Sequence, residues 1–368
     1  MPDTLLTGRK ADLGHGLTVR RLLPAGSRRR SVGPFVFFDH AGPVTLAPED
    51  IKGADVRPHP HIGLATVSYV LGGEIIHRDS LGTFQRIRPG AVNWMTAGRG
   101  ITHSERFEHP ASFAGGGLEL LQMWVALPEA DEECAPAFEH TDESALPVRD
   151  DPAIGVWLRV VAGSAYGLDS PVRTLSPLFC VHAELQPGST LALPVPGSGM
   201  ERAVYVVRGE IEHAGKRCAA GQMLVWNDPQ ANAEANTGNA AATATNDAND
   251  ANEDGTSPGD GDGDGSGHGP ADGGDDDAAP MVSVGTEPAT VLLVGGTSLG
   301  PRHLFWNFVS SRRERIDQAK ADWRAGRFAL PPDDHDEWIP LPSPASALAP
   351  SASSQQAGAG SVPPANAS

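Results

Sequence analysis

A chain of 368 residues has room for two or three domains. Its formal charge of −18 suggests a strongly acidic protein, but Pro229 to Pro280 holds 12 Asp or Glu and no Lys or Arg and so supplies −12 of it. The remaining chain lacks the concentrated basic surface that reads phosphates, which excludes direct nucleic-acid binding, and no run approaches the roughly 18 apolar residues of a membrane span.

The N-terminus, MPDTLLTGRKADLGHGL, has no apolar core of signal-peptide length. Cys134, Cys180 and Cys218 are odd in number, widely spaced and without a CxxC pair, which reads as small buried hydrophobes in a reducing compartment. The expected location is the cytoplasm.

The motif HPH supplies His59 and His61. After it, Thr66 to Val70 alternates as a half-buried strand and turns at Gly72-Gly73. Glu74 to His77, Phe84 to Arg88 and Ala91 to Thr96 follow as strands broken by Gly-rich turns, and Arg99-Gly100 leads into Ile101 to Glu105. Short strands at near-regular spacing indicate an antiparallel sandwich or barrel. In an extended strand, residues two apart share a face, so His59 with His61, and His103 with Glu105, each aim two ligand atoms into one space. Three imidazoles and one carboxylate make a mixed N/O site for one divalent transition metal, with iron the expected ion and open positions left for water, dioxygen or substrate. His77, on the next strand, is a weaker candidate for the site and reads as a residue at the surface or behind the ligands, hydrogen-bonded to a turn. Phe37, Phe38, Met95 and Trp94 are candidates for an apolar pocket, although alternation sends half of them into ordinary core.

The segment AVYVVRGEIEH, then AAGQMLVW, repeats ATVSYVLGGEIIH, then IRPGAVNWM, with Trp226 in the place of Trp94. Two barrels in tandem follow from this repeat. Matching Gly209-Glu210 to Gly73-Glu74 puts Val195 and Gly197 where His59 and His61 stand, so the second barrel is expected to hold no metal. Residues 229–280 carry too few apolar side chains to offset ordering entropy and read as a disordered insert. Within them Asp260, Asp262, Asp264 and Gly265 match half of an EF-hand loop whose twelfth position is Ala271, a low-complexity coincidence. Strand pattern resumes over 281–294. Ser311 to Glu314 forms a capping box, and Ile316, Ala319, Ala321 and Trp323 continue a helix to Gly326. Residues 341–368 are Ser, Ala and Pro rich and read as disordered.

The run HPHIGLATVSYVLGGEIIHRDSLG with IRPGAVNWMTAGRGITHSE resembles the N-terminal cupin of the pirin family. GPFVFFDHAGP from Gly33 and HLFWNFVSSRRERIDQAKADWRAGRF from His303 extend the resemblance. It implies an all-β fold of two antiparallel cupin (jelly-roll) barrels, a bicupin, with a C-terminal helix. The expected division is 1–130 for the metal-bearing barrel, 131–310 for the second barrel, 311–340 for the helix and extension, and 341–368 for the tail. The resemblance also implies Fe(II) on His59, His61, His103 and Glu105. It points to a quercetin 2,3-dioxygenase-like enzyme taking a small aromatic substrate and dioxygen, with Glu105 as ligand or as the base that accepts a substrate proton. The alternative it carries is a non-catalytic, iron-dependent sensor or transcriptional co-regulator that binds a protein partner. A monomer is expected in either case.

Overall fold

Period-2 patterning closed by glycine turns produces strands, and the strands here form two barrels with the same plan. The computed structural model describes residues 4–12, 18–26, 29–47, 51–107, 117–194, 200–226 and 279–342. In barrel one the smaller sheet runs Val56–His61, Ile101–Arg106, Ile75–Asp79, Phe84–Ile87. The larger sheet runs Ala137–Thr141, Val92–Thr96, Leu64–Gly72, Leu118–Ala126, Phe35–Val44, Thr18–Leu23, Arg9–Asp12.

Barrel two repeats this order. Its smaller sheet runs Thr190–Ala192, Met281–Val284, Glu210–His213, Lys216–Ala219. Its larger sheet runs Thr4–Thr7, Gln222–Trp226, Met200–Arg208, Ala289–Thr297, Leu178–Leu185, Val156–Ala165, Val148–Asp151, with Leu168–Asp169 alongside Val156–Ala165. The chain is therefore all-β, a bicupin with a C-terminal helix. The repeated Gly-Glu turns coincide in conformation: Gly73 and Gly209 have φ of 75° and 76°, a left-handed backbone that favours glycine.

The strand pairing crosses the expected boundary at residue 130 in both directions. Thr4–Thr7, which precedes barrel one, pairs with Gln222–Trp226 of barrel two. Ala137–Thr141, which leads into barrel two, pairs with Val92–Thr96 of barrel one. Between the barrels lies one shared apolar cluster that includes Phe35, Phe38, Leu121 and Met123 from one side and Met223, Leu292 and Val294 from the other. Barrel two fills its own interior with a second cluster, among it Val204, Ile211, Leu224, Val282 and Leu293.

The helix spans Arg313–Arg324 and buries Ile316, Ala319 and Trp323. The capping box expected at Ser311 does not form. Arg312 takes the N-cap place with no side-chain cap. The Ser311 backbone N–H instead donates to Glu132 at 2.8 Å, and its hydroxyl donates to the same carboxylate at 3.0 Å. Glu132 is buried and ionic with Arg302 at 2.9 Å, and a desolvated carboxylate outcompetes a local cap for donors.

The segment after Phe305 then straps the outer side of the metal-bearing sheet. Ile62 bridges Phe308, Val309 N–H donates to Ile62 O at 3.2 Å, and Ile339 N–H donates to Pro58 O at 2.9 Å. Gly63 allows this approach, because a Cβ there would collide with the Val309 carbonyl. Farther along, Arg106 forks onto Asp334 at 2.6 and 2.7 Å. The expected insert over 229–280 lies outside the described residues but for its last two positions, as do Val195, Gly197 and residues 343–368.

Candidate metal centre

Residues directly opposite in an antiparallel ladder share a face. His103 stands opposite both His59 and Asp79, Ile101 opposite His61, and Glu105 opposite His77. The ladder to Val56–His61 slips between His103 and Glu105. That edge strand carries Pro58 and Pro60, which cannot donate to a ladder.

His59, His61 and His103, all buried, each bring one ligand nitrogen into a group spanning no more than 4.8 Å. His59 Nδ1–H donates to Arg57 O at 2.9 Å, which leaves its Nε2 lone pair free. His61 Nε2 and His103 Nε2 stand 3.1 Å apart. Two nitrogens about 2.1 Å from one ion, at right angles, are separated by about 3 Å, so this spacing fits a bound cation. Lone pairs held this close repel unless a proton or a cation lies between them. Loss of water on burial lowers all three imidazoles, His59 to about 4 and the other two well below their usual range. They are neutral donors at neutral pH, the form that metals require.

Glu105 points into the same barrel, but its carboxyl is not among the clustered ligand atoms. It hydrogen-bonds with Ser68 across the barrel. Glu105 is only half-buried as a residue, yet its carboxyl is desolvated enough to be pushed up to about 7, against that hydrogen bond. Ser68, Gln122 and Asp39 lie side by side in one cross-strand row of the larger sheet. Ser68 Oγ lies 2.8 Å from the Gln122 side-chain amide, and Arg21 donates to both oxygens of Asp39 at 2.9 and 2.7 Å. The inner wall facing Glu105 therefore carries a polar belt that sequence reading missed, although its strands were expected.

The apolar wall divides as alternation requires. Phe37 and Met95 join Trp124 in the cluster beside the histidines, while Phe38 and Trp94 enter the inter-barrel core. Trp124 stacks on Phe37 at 4.0 Å between ring centroids and meets His61 edge-on at 5.3 Å. His77 is buried rather than superficial. Its Nε2 lies 3.1 Å from Asp79 Oδ2 and its Nδ1 lies 3.3 Å from His103 Nδ1. Burial lowers the His77 pKa against the opposing pull of Asp79, leaving a neutral ring.

In barrel two, the ladder of Glu212 with Ser283 corresponds to that of Ile76 with Arg106. One step along, Val282 takes the place of Glu105, and Pro280 that of His103. Leu193 N–H donates to Pro280 O at 2.8 Å, so Leu193, two residues before the Val195 expected from the repeat, stands where His59 does. Among the described residues, these places offer apolar side chains and no metal ligand.

Residues 16–125 match the Pirin family, and residues 274–329 match the Pirin C-terminal cupin domain. A Pirin-like protein of Caulobacter vibrioides is 43% identical over 343 residues, covering 93% of this chain and 100% of the relative. The chain belongs to the pirin family. Among solved structures, a quercetin 2,3-dioxygenase from Acinetobacter baumannii is similar at 28% identity with a TM-score of 0.70, covering 92% of this chain and 95% of that one. A second quercetin 2,3-dioxygenase from the same organism matches the fold at 23% identity and a TM-score of 0.68, over 89% and 98% of the two chains. Among the described residues of this pirin, no helix is long and apolar enough to cross a membrane. The two matched segments fall on barrel one and on the strands and helix between Met281 and Arg324.

Proposed function

We propose that this chain is an iron-dependent dioxygenase acting on a flavonol-like aromatic substrate, working as a monomer in the cytoplasm. One Fe(II) would be held by His59, His61, His103 and Glu105. The observation that carries this reading is Glu105 itself, a carboxyl pushed up to about 7 and docked on Ser68 beside three neutral imidazoles. A base poised near the working pH is the most effective at taking a proton, and a phenolic or enolic hydroxyl is a proton source of suitable acidity.

When bound, a redox-active metal supplies the electron exchange with dioxygen that a closed-shell aromatic lacks. The protein's own residues do the rest. Phe37 and Trp124 offer a flat apolar wall for a ring system, and the belt of Ser68, Gln122 and Asp39 offers partners for ring hydroxyls. Glu105, released from Ser68, takes the substrate proton or completes the ligand set. Barrel two, with its apolar interior, buttresses barrel one.

The test is anaerobic loading with Fe(II), then oxygen uptake with a panel of flavonols. Uptake that depends on both metal and flavonol supports the reading. Metal-loaded protein that consumes no oxygen with any flavonol would favour a metal-dependent binding protein instead.

A further inference from the structure

The strand Ile75–Asp79 contributes a second pair of residues two apart, His77 and Asp79, on the same inner face as His103 and Glu105. Asp79 is fully buried and its carboxylate is held from several sides. The backbone N–H groups of Leu81 and Thr83 donate to Oδ1 at 2.8 and 3.1 Å, and His77 Nε2 faces Oδ2 at 3.1 Å. A carboxylate accepts only, so the His77 proton sits on Nε2 and its Nδ1 presents a lone pair. That lone pair is 3.3 Å from His103 Nδ1. For the contact to be attractive, His103 must carry its proton on Nδ1, which bares His103 Nε2 toward His61 Nε2. Phe138 stacks on the His77 ring at 4.4 Å between centroids and an angle of 23°, so the ring is fixed in plane as well as in tautomer.

We propose that Asp79 and His77 form a positioning relay that sets the tautomer and orientation of His103, so that its Nε2 lone pair is ready for a metal ion. This inference rests on the metal reading of the three histidines. The usual device is a carboxylate or carbonyl directly behind a ligand histidine, as Arg57 O stands behind His59. Here a whole imidazole is inserted between the carboxylate and the ligand. Neither residue would touch the ion. The hydrogen bonds also brace the hairpin turn at Leu81, so the test must separate bracing from positioning.

The tautomers are read first on full-length, metal-free protein by long-range proton–nitrogen NMR with 15N-labelled histidine. His103 should be protonated at Nδ1 and His77 at Nε2. Co(II) affinity is then measured from its visible absorption. His77→Phe should return His103 to a mixture of tautomers and weaken Co(II) binding about 10- to 100-fold. His77→Gln, whose side-chain oxygen can still accept from His103 Nδ1–H, should hold the tautomer and recover most of the affinity, a rescue that mere bracing of the turn would not give. A wild-type His103 protonated at Nε2 overturns the relay. So does a His77→Phe variant that binds Co(II) as tightly as wild type and keeps the His103 tautomer. Wild-type protein that takes up no Co(II) overturns the metal reading itself and with it the purpose of the relay, a result distinct from the other two.

Discussion

Tyr205 of barrel two lies 2.7 Å from His40 of barrel one, its hydroxyl against Nδ1. The mirror contact also exists: Tyr69 of barrel one lies 2.8 Å from His182 Nδ1 of barrel two. Leu121 pairs with both His40 and Tyr69, and Leu292 with both His182 and Tyr205, so the two contacts occupy matching places in the repeat. Each histidine donates its Nε2–H to a carboxylate, Glu119 or Glu184, and accepts from the tyrosine at Nδ1. Each tyrosine also receives an arginine, Arg20 or Arg159. The duplicated barrels thus exchange reciprocal polar contacts at the edge of their shared apolar core.

The burial of His40 gives the protein a pH response. Loss of water, with the charges of Arg20 and Arg208 adding to it, lowers His40 from 6.5 to about 4. The unfolded chain binds the proton more readily than the native one, so this contribution to stability is complete above about pH 6.5 and is lost as pH falls toward 4. Urea midpoints of metal-free wild type and His40→Gln, taken from pH 7 to 4.5, should show the steeper decline in wild type, by roughly 3 kcal/mol at most. Parallel declines would show that His40 titrates normally.

Metal analysis should give about one ion per chain, and His59→Ala should abolish it, because losing one of three clustered imidazoles removes both bond and geometry. An ion that survives His59→Ala would place a site elsewhere, with barrel two the first place to look.

Glu105→Gln separates ligand from base. It keeps an oxygen of similar shape and removes the basicity. Metal content should stay appreciable while turnover drops by about 10²–10⁴-fold. A metal-loaded variant of full activity would leave the proton to another group.

Deleting residues 230–279 and closing the gap with a short Gly-Ser linker should leave Tm and metal content unchanged. The segment is acidic and poor in apolar side chains, and the entropy of closing a loop grows only slowly with its length. Loss of a single cooperative transition in the deletion variant would make the segment structural.

The sequence made the repeat, the strands and the two residue pairs legible because each rests on local spacing: period 2 within strands and Gly-Glu turns at matching positions. Glu105 was legible as to face but not as to where its carboxyl goes, since the pull of Ser68 comes from the opposite sheet. Asp79 was missed although it stands two residues from His77, because an Asp beside a glycine turn looks like turn chemistry. Ser311 was misread for the converse reason: its local motif is a cap, and the buried carboxylate that claims it is 179 residues away.

The crossed edge strands bear on how the chain comes to be assembled. Thr4–Thr7 is synthesised before its partner, Gln222–Trp226, which follows more than two hundred residues later. Until that partner is made the segment has no ladder to join, and the ordering entropy of so distant a contact is met late. A cut between the barrels would not yield two self-sufficient halves: each fragment would carry away an edge belonging to the other. Fragments expressed together would have a built-in reason to find one another, since each can complete the other's larger sheet.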